Sequence, residues 1–219
     1  MIPDLIYDVG FHNGIDTEHY LSKGYRVVAV EANPELVEAG KKRFAAEIDD
    51  GRLTLLGACI AAQTETTRFW VNDYQSEWSA FDRDLASRDG TTSHPVDVPG
   101  VTFDSILAEH GVPHYLKIDI EQSDLLCLQA LQREDLPAYV SVEAHSLLYL
   151  AILASLGYDS FKCVDQMQHQ PANVRLRRFE SFIARHRLIR TVSGPFAPTY
   201  RRITTRYRES ASEEAEAHV

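Results

Sequence analysis

Apolar residues recur along the chain in two rhythms, and the alternation between them predicts the architecture. Residues 5–9 (Leu-Ile-Tyr-Asp-Val) form a short run ended by Gly10, the pattern of a buried strand. Residues 14–23 follow with helical spacing and stop at Gly24. Residues 26–30 (Arg-Val-Val-Ala-Val) predict a second strand of β-branched character. Asn33 then stands as an N-cap, with Pro34 at the first helical position and Glu35 in the first turn. Residues 53–60 and 66–71 predict two more strands, and residues 115–120 another buried one. An amphipathic helix with Leu125, Leu126, Leu128 and Leu131 comes next, then a strand over 139–143 and a helix capped by Ser146 and closed by Gly157. Strands alternating with helices of roughly 10–15 residues require a parallel sheet covered on both faces. The expected class is α/β, a doubly wound, Rossmann-like and mostly parallel sheet.

One stretch breaks the rhythm. Residues 72–99 show no clear period yet carry Tyr74, Trp78, Phe81, Arg83 and His94, which predicts a lid or binding loop. Composition narrows the picture further. With 44% hydrophobic and 25% charged residues the chain has the means to build a core, so intrinsic disorder is excluded. The net charge of −10 makes it a poor ligand for nucleic acid backbones. Three separated cysteines, Cys59, Cys127 and Cys163, argue against a disulfide framework and a cysteine-rich metal site. No basic stretch with an apolar run behind it opens the sequence, and the longest mostly apolar stretch, residues 147–156, is about half a membrane span. A soluble, cytoplasmic protein without a membrane partner is expected, with one domain over residues 1–209 and a solvated tail over 210–219.

Charge is unevenly spread. Residues 175–208 hold ten arginines against the single acid Glu180. Such a segment either docks an acidic partner or substrate, or folds back on the acidic body of the chain or of a second copy in a homodimer.

In doubly wound sheets ligands bind beyond the carboxyl ends of the strands, near the switch in strand order. There the first strand ends Asp8-Val9-Gly10-Phe11-His12-Asn13-Gly14, and the second ends at Glu31, where an acid can accept both hydroxyls of a ribose. A dinucleotide fold wants G-x-G-x-x-G to meet a pyrophosphate. Here the spacing is G-x-x-x-G with Asp8 just before it, which repels a pyrophosphate and suits a cationic amino-acid group. S-adenosylmethionine has a ribose, a sulfonium and an ammonium, and no phosphate.

Residues 7–17 (Tyr-Asp-Val-Gly-Phe-His-Asn-Gly-Ile-Asp-Thr) and 28–34 (Val-Ala-Val-Glu-Ala-Asn-Pro) resemble the opening of FkbM-type S-adenosylmethionine-dependent methyltransferases. Residues 116–121 (Leu-Lys-Ile-Asp-Ile-Glu) resemble that family's "LKIDIEG" segment; Val142-Glu143-Ala144, Gly157-Tyr158 and Ser193-Gly194-Pro195-Phe196 also match it. The likeness spans residues 5 to about 200 and departs at Gln122, where glycine is usual, and at Phe11-His12, where small residues are frequent. It implies a class I methyltransferase sheet and S-adenosylmethionine as cofactor. It also implies Asp8, Gly10, Asn13 and Gly14 around the methionine moiety, Glu31 at the ribose, and Asn33, Cys59 and Ile60 near ribose and adenine. Asp119 would sit beneath the amino-acid end of the cofactor and face the acceptor. The family methylates mainly hydroxyls on sugars and secondary metabolites, so O-methylation of a small acceptor is expected.

A hydroxyl acceptor must lose a proton. Asp119 and Glu121 after one strand, and Glu143 and His145 after the next, share one rim, and histidine has the ordinary pKa best matched to the task. The competing role of His145 is to cap the helix that begins at Ser146. Asp119, Glu143 and His145 would also make an O/O/N metal set, but no HxH or HExxH spacing supports one, and no metal is expected. Glu121 and Glu143 would equally hold an amine or guanidine, which keeps N-methylation open, as does a cofactor-binding protein without catalysis. A dehydrogenase is disfavoured by the missing dinucleotide fingerprint.

Overall fold

The computed structural model describes residues 1–120, 123–144, 146–165, 170–171 and 201–206. In chain order the elements are β1 (Ile2–Val9), α1 (Ile15–Ser22), β2 (Arg26–Glu31), α2 (Pro34–Arg43), α3 (Ala45–Asp49), β3 (Leu53–Gly57), β4 (Cys59–Ile60) and β5 (Thr66–Asn72). There follow α4 (Arg83–Ala86), β6 (Ser93–Val101), α5 (Phe103–His110), β7 (Pro113–Ile118), α6 (Asp124–Ala130), β8 (Tyr139–Glu143), α7 (Leu147–Leu156), β9 (Ser160–Asp165), β10 (Gln170–Pro171) and β11 (Arg201–Arg206). The main sheet runs β3-β2-β1-β7-β8-β11-β9-β10. Its first five strands are parallel, whereas β11 is antiparallel to both β8 and β9.

β2 shows why the sheet needs helices on both faces. Val28 and Val30 pack into one core with Phe103, Leu128 and Leu153 from α5, α6 and α7. Val27 and Ala29, pointing the other way, pack with Phe11, Leu21 and Phe44 on the side of α1 and α2. A strand buried on both faces reads as the continuous apolar run seen in the sequence. The doubly wound class expected from the pattern is the one observed. Because β1, β2, β7 and β8 are parallel, their carboxyl ends lie on one edge, and the strand order reverses between β1 and β7.

The run over 53–60 does not stay one strand. It leaves the main sheet after Gly57, and Cys59–Ile60 pair with Gly100–Val101 in a separate three-stranded sheet ordered β4-β6-β5. The aperiodic stretch 72–99 is more built than its pattern predicts, since β6 pairs antiparallel with β5 from Asn72↔Ser93 to Thr66↔Pro99. Two prolines hide that strand in the sequence. The Gly100 N–H donates toward the β5 side, to the Glu65 carbonyl at 2.7 Å. Odd-numbered residues therefore turn their N–H groups outward, and Pro95 and Pro99 sit where no donor is needed. What remains as an insert between the two strands is residues 73–92, with a 3₁₀ turn over Ser76–Trp78 and the short α4.

Among the described residues no helix is long and apolar enough to cross a membrane. Most of the arginine-rich segment, the Ser193–Phe196 match (residues 193–196) and the tail over 210–219 lie outside the described residues.

Candidate active site

The turn after β1 is held open by backbone geometry. Gly10 (φ 94°) and Gly14 (φ 75°) adopt left-handed conformations that glycine favours, and His12 (φ 50°) shares the region without being glycine. A Cβ on Gly10 would stand 2.0 Å from the carbonyl oxygen of Asp119, so the β1 and β7 ends touch only because position 10 is bare. Gly14 serves a different end: a Cβ there would strike the rings of Phe11 and Phe44, at 2.6 and 2.7 Å. It is a packing glycine beneath the turn.

Asp8 and Lys117 face each other across the β1–β7 register. Lys117 Nζ lies 2.8 Å from Asp8 Oδ1, donates to the Gly10 carbonyl at 2.9 Å, and stands 3.3 Å from Asp16 and 3.9 Å from Asp119. Thr17 Oγ1 donates to the second oxygen of Asp8 at 2.7 Å. Burial drives the lysine toward losing its proton, but Asp8 and Asp119 outweigh it, and its pKa is held above the ordinary value. This ion pair is fully inside the protein. Sequence reading put Asp8 against the ligand; in the structure both its oxygens are engaged within the chain.

Two cavities open at the sheet edge on either side of this turn, and Gly10, His12, Glu77 and Asp119 line both. The first, of about 640 Å³, has an apolar slot between Leu36, Ile60, Phe69 and Phe81, with Glu31 and Cys59 also in its wall. Glu31 is pre-aimed, since its two oxygens accept the backbone N–H groups of His12 at 2.7 Å and Asn33 at 2.8 Å. Burial pushes its pKa up, opposed by those N–H groups. Burial likewise pushes the pKa of the Cys59 thiol up. Asn33 is a buried cap: its side chain accepts the Glu35 N–H at 2.9 Å and starts α2.

The second cavity, about 970 Å³, is lined by Asn13, Asp16, Lys117, Asp119 and Glu143, with Glu77, Trp78 and Arg88 from the 73–92 insert. Arg88 lies over the Trp78 ring at 4.8 Å. Behind the rim, Asp124 is wholly buried; one oxygen accepts the Ile120 N–H at 3.3 Å and the other has no partner among the described residues. Desolvation, with Asp119 and Glu143 nearby, lifts its pKa to about 7.

Of the residues singled out from sequence, Gly10, Glu31, Cys59, Ile60 and Asp119 meet at the first cavity, and Gly10, Asn13, Asp119 and Glu143 at the second. Glu121 and His145 lie outside the described residues. Among the described residues no three His, Cys, Asp or Glu side chains gather as metal ligands. Sequence reading missed Lys117, Asp16, Glu77, Arg88 and Asp124. A signal existed for Lys117: a lysine inside an apolar run demands a buried acid on a neighbouring strand, and Asp8 is the acid inside the apolar run of β1.

Comparison with known proteins adds the following. Residues 8–186 match the model of the methyltransferase FkbM domain. Over 52 residues the chain is 46% identical to a probable ribosomal RNA small subunit methyltransferase A of Methanospirillum hungatei, covering 24% of this chain and 20% of that protein. A crystal structure of methyltransferase FkbM from Methylobacillus flagellatus superposes with a TM-score of 0.47 at 19% identity, covering 69% of this chain and 37% of that one. The C-terminal domain of precorrin-6Y C5,15-methyltransferase from Rhodobacter capsulatus gives 0.45 at 13% identity, covering 95% and 82%.

Proposed function

Because this chain belongs to the FkbM methyltransferase family, we propose that it transfers the methyl group of S-adenosylmethionine to a hydroxyl of a small acceptor. Its doubly wound sheet is of the class I methyltransferase type. The observation that carries the reading is Glu31, a carboxylate fixed by two backbone N–H groups at the edge of an apolar slot. A ribose with its base in that slot fits both features, and Gly10, in the wall of the same cavity, lets the β1 turn lie against the end of β7 beside it. S-adenosylmethionine supplies a methyl carbon activated by its sulfonium. The chain's own task is to align the acceptor, exclude water and take one proton. Asp119 and Glu143 line the second cavity and would orient the acceptor there. His145, two residues beyond Glu143, is the proposed base.

Glu31→Ala should weaken S-adenosylhomocysteine binding by about 1.5–3 kcal/mol, the range for a charged hydrogen bond. Unchanged affinity by calorimetry would remove the cofactor assignment. In a homocysteine-release assay with a panel of hydroxyl acceptors, His145→Ala should lose roughly 10²–10⁴ in rate. If Glu143→Gln shows that loss and His145→Ala does not, Glu143 is the base.

An amine acceptor is the second reading. It is favoured by the second cavity's carboxylates, Asp16, Glu77, Asp119 and Glu143, which outnumber Lys117 and Arg88. The same balance disfavours a strongly acidic acceptor. Amines added to the panel decide between the two.

A further inference from the structure

His12 belongs to both cavities and to neither in particular. Its φ of 50° is a conformation that a residue with a side chain holds only when its surroundings over-determine it. Glycine would take that backbone freely, as at positions 10 and 14 on either side. Histidine adds a ring, and the ring reaches the insert: Nε2 lies 2.8 Å from Ser76 Oγ and 3.7 Å from Glu77 Oε1. On its other side the His12 N–H donates to Glu31 at 2.7 Å. The turn over Ser76–Trp78 is itself shared, because Ser76 and Glu77 line the first cavity while Glu77 and Trp78 line the second. We propose that His12 is a positioning residue that couples the two cavities: its backbone orients Glu31 while its ring latches the Ser76–Trp78 turn against the cofactor turn. Binding in the first cavity then sets the wall of the second, and the insert need not close as an independent lid.

The latch separates from the fold by a double-mutant cycle. His12→Gly keeps the backbone conformation and the N–H, and removes the ring. Ser76→Ala removes one hydroxyl from a half-buried position and leaves the core untouched. The amides of Trp78 and Ser79, bonded to the carbonyls of Gln75 and Ser76, report opening of the turn by hydrogen exchange. Each single variant should speed their exchange about five- to tenfold, the worth of one hydrogen bond, and the double variant by no more than either single. Effects that multiply, or exchange unchanged in both singles, overturn the latch. The same cycle read as S-adenosylhomocysteine affinity rests on the cofactor reading above. There each single should weaken binding by a similar factor, because the opened turn must be re-ordered, and the double should weaken it no further. Multiplying losses would overturn the coupling. A wild type that does not bind S-adenosylhomocysteine overturns the cofactor reading alone, and the exchange cycle then decides the latch by itself.

Discussion

The cleft has two walls built from polar residues in opposite ways. On the sheet side, Lys117 and Asp8 pair with side-chain exposures of 5% and 0%, between two central parallel strands. Toward the insert, His12 of the β1 turn and Glu77 are 32% and 61% exposed, and the pair His94 and Asp73 at the foot of the insert, which lines neither cavity, is 49% and 36% exposed. The contacts are comparable in length: 2.8 Å for Lys117 to Asp8 and 2.7 Å for His94 to Asp73. What separates them is water. A buried ion cannot be left alone without a large desolvation penalty, whereas an exposed partner is replaced by solvent. The sheet wall is therefore tied to global folding and the insert wall only to its own opening.

The sharpest way to break that comparison is to strip a partner from the buried pair. Lys117→Met should cost about 3–5 kcal/mol of global stability in urea unfolding, because Asp8 is left charged and enclosed. A loss below about 1 kcal/mol would put the two walls in one class. Asn72 offers the matching experiment at the base of the insert. Its Nδ2 donates to the Ala86 carbonyl and to Thr91, both at 2.7 Å, and its Oδ1 accepts the N–H groups of Tyr74 and Gln75. Asn72→Ala should release residues 73–92 by about 2–3 kcal/mol in native-state hydrogen exchange. Strands β1, β2 and β7 should keep their protection; if they lose it equally, the insert is part of the global unit.

Asp124 sharpens the comparison from the other direction, since it is as buried as Asp8 but has no cation beside it among the described residues. Its raised pKa means that the folded state binds more protons than the unfolded chain between about pH 4 and 7. Stability should therefore fall as pH rises through that window. Asp124→Asn keeps an oxygen for the Ile120 N–H and removes the charge. It should be more stable than wild type by on the order of 4 kcal/mol at pH 8, with the difference vanishing near pH 4. A difference independent of pH would mean that packing, not charge, distinguishes the two side chains.

Much of the cleft was legible in the sequence for a simple reason. Groups at the carboxyl ends of parallel strands are placed by the fold class itself, so Gly10, Glu31, Asp119 and Glu143 could be located on that edge once the strands were found. Asn33 was legible too, since the N-cap, Pro34 and Glu35 form a local signal, and the structure gives it that capping bond. Gly14 shows where local reading stops. Its positive φ follows from the turn, and Phe11 is in that same turn, but the Phe44 ring that also demands its bareness comes from beyond α2.

By itself, then, the sequence determined the alternation of strands and helices, the edge on which the candidate site lies and the acid that faces the first cavity. Each depends on residues near one another in the chain or on the period of burial. Tertiary structure alone decided that Lys117 neutralises Asp8 across 109 positions, that Pro95 and Pro99 fall at positions of β6 whose backbone nitrogens face away from β5, and that His12 meets Ser76. These depend on strand register and on how an insert folds back. Side-chain contacts across such distances carry no period, because the free energy that selects them comes from the burial of both partners at once.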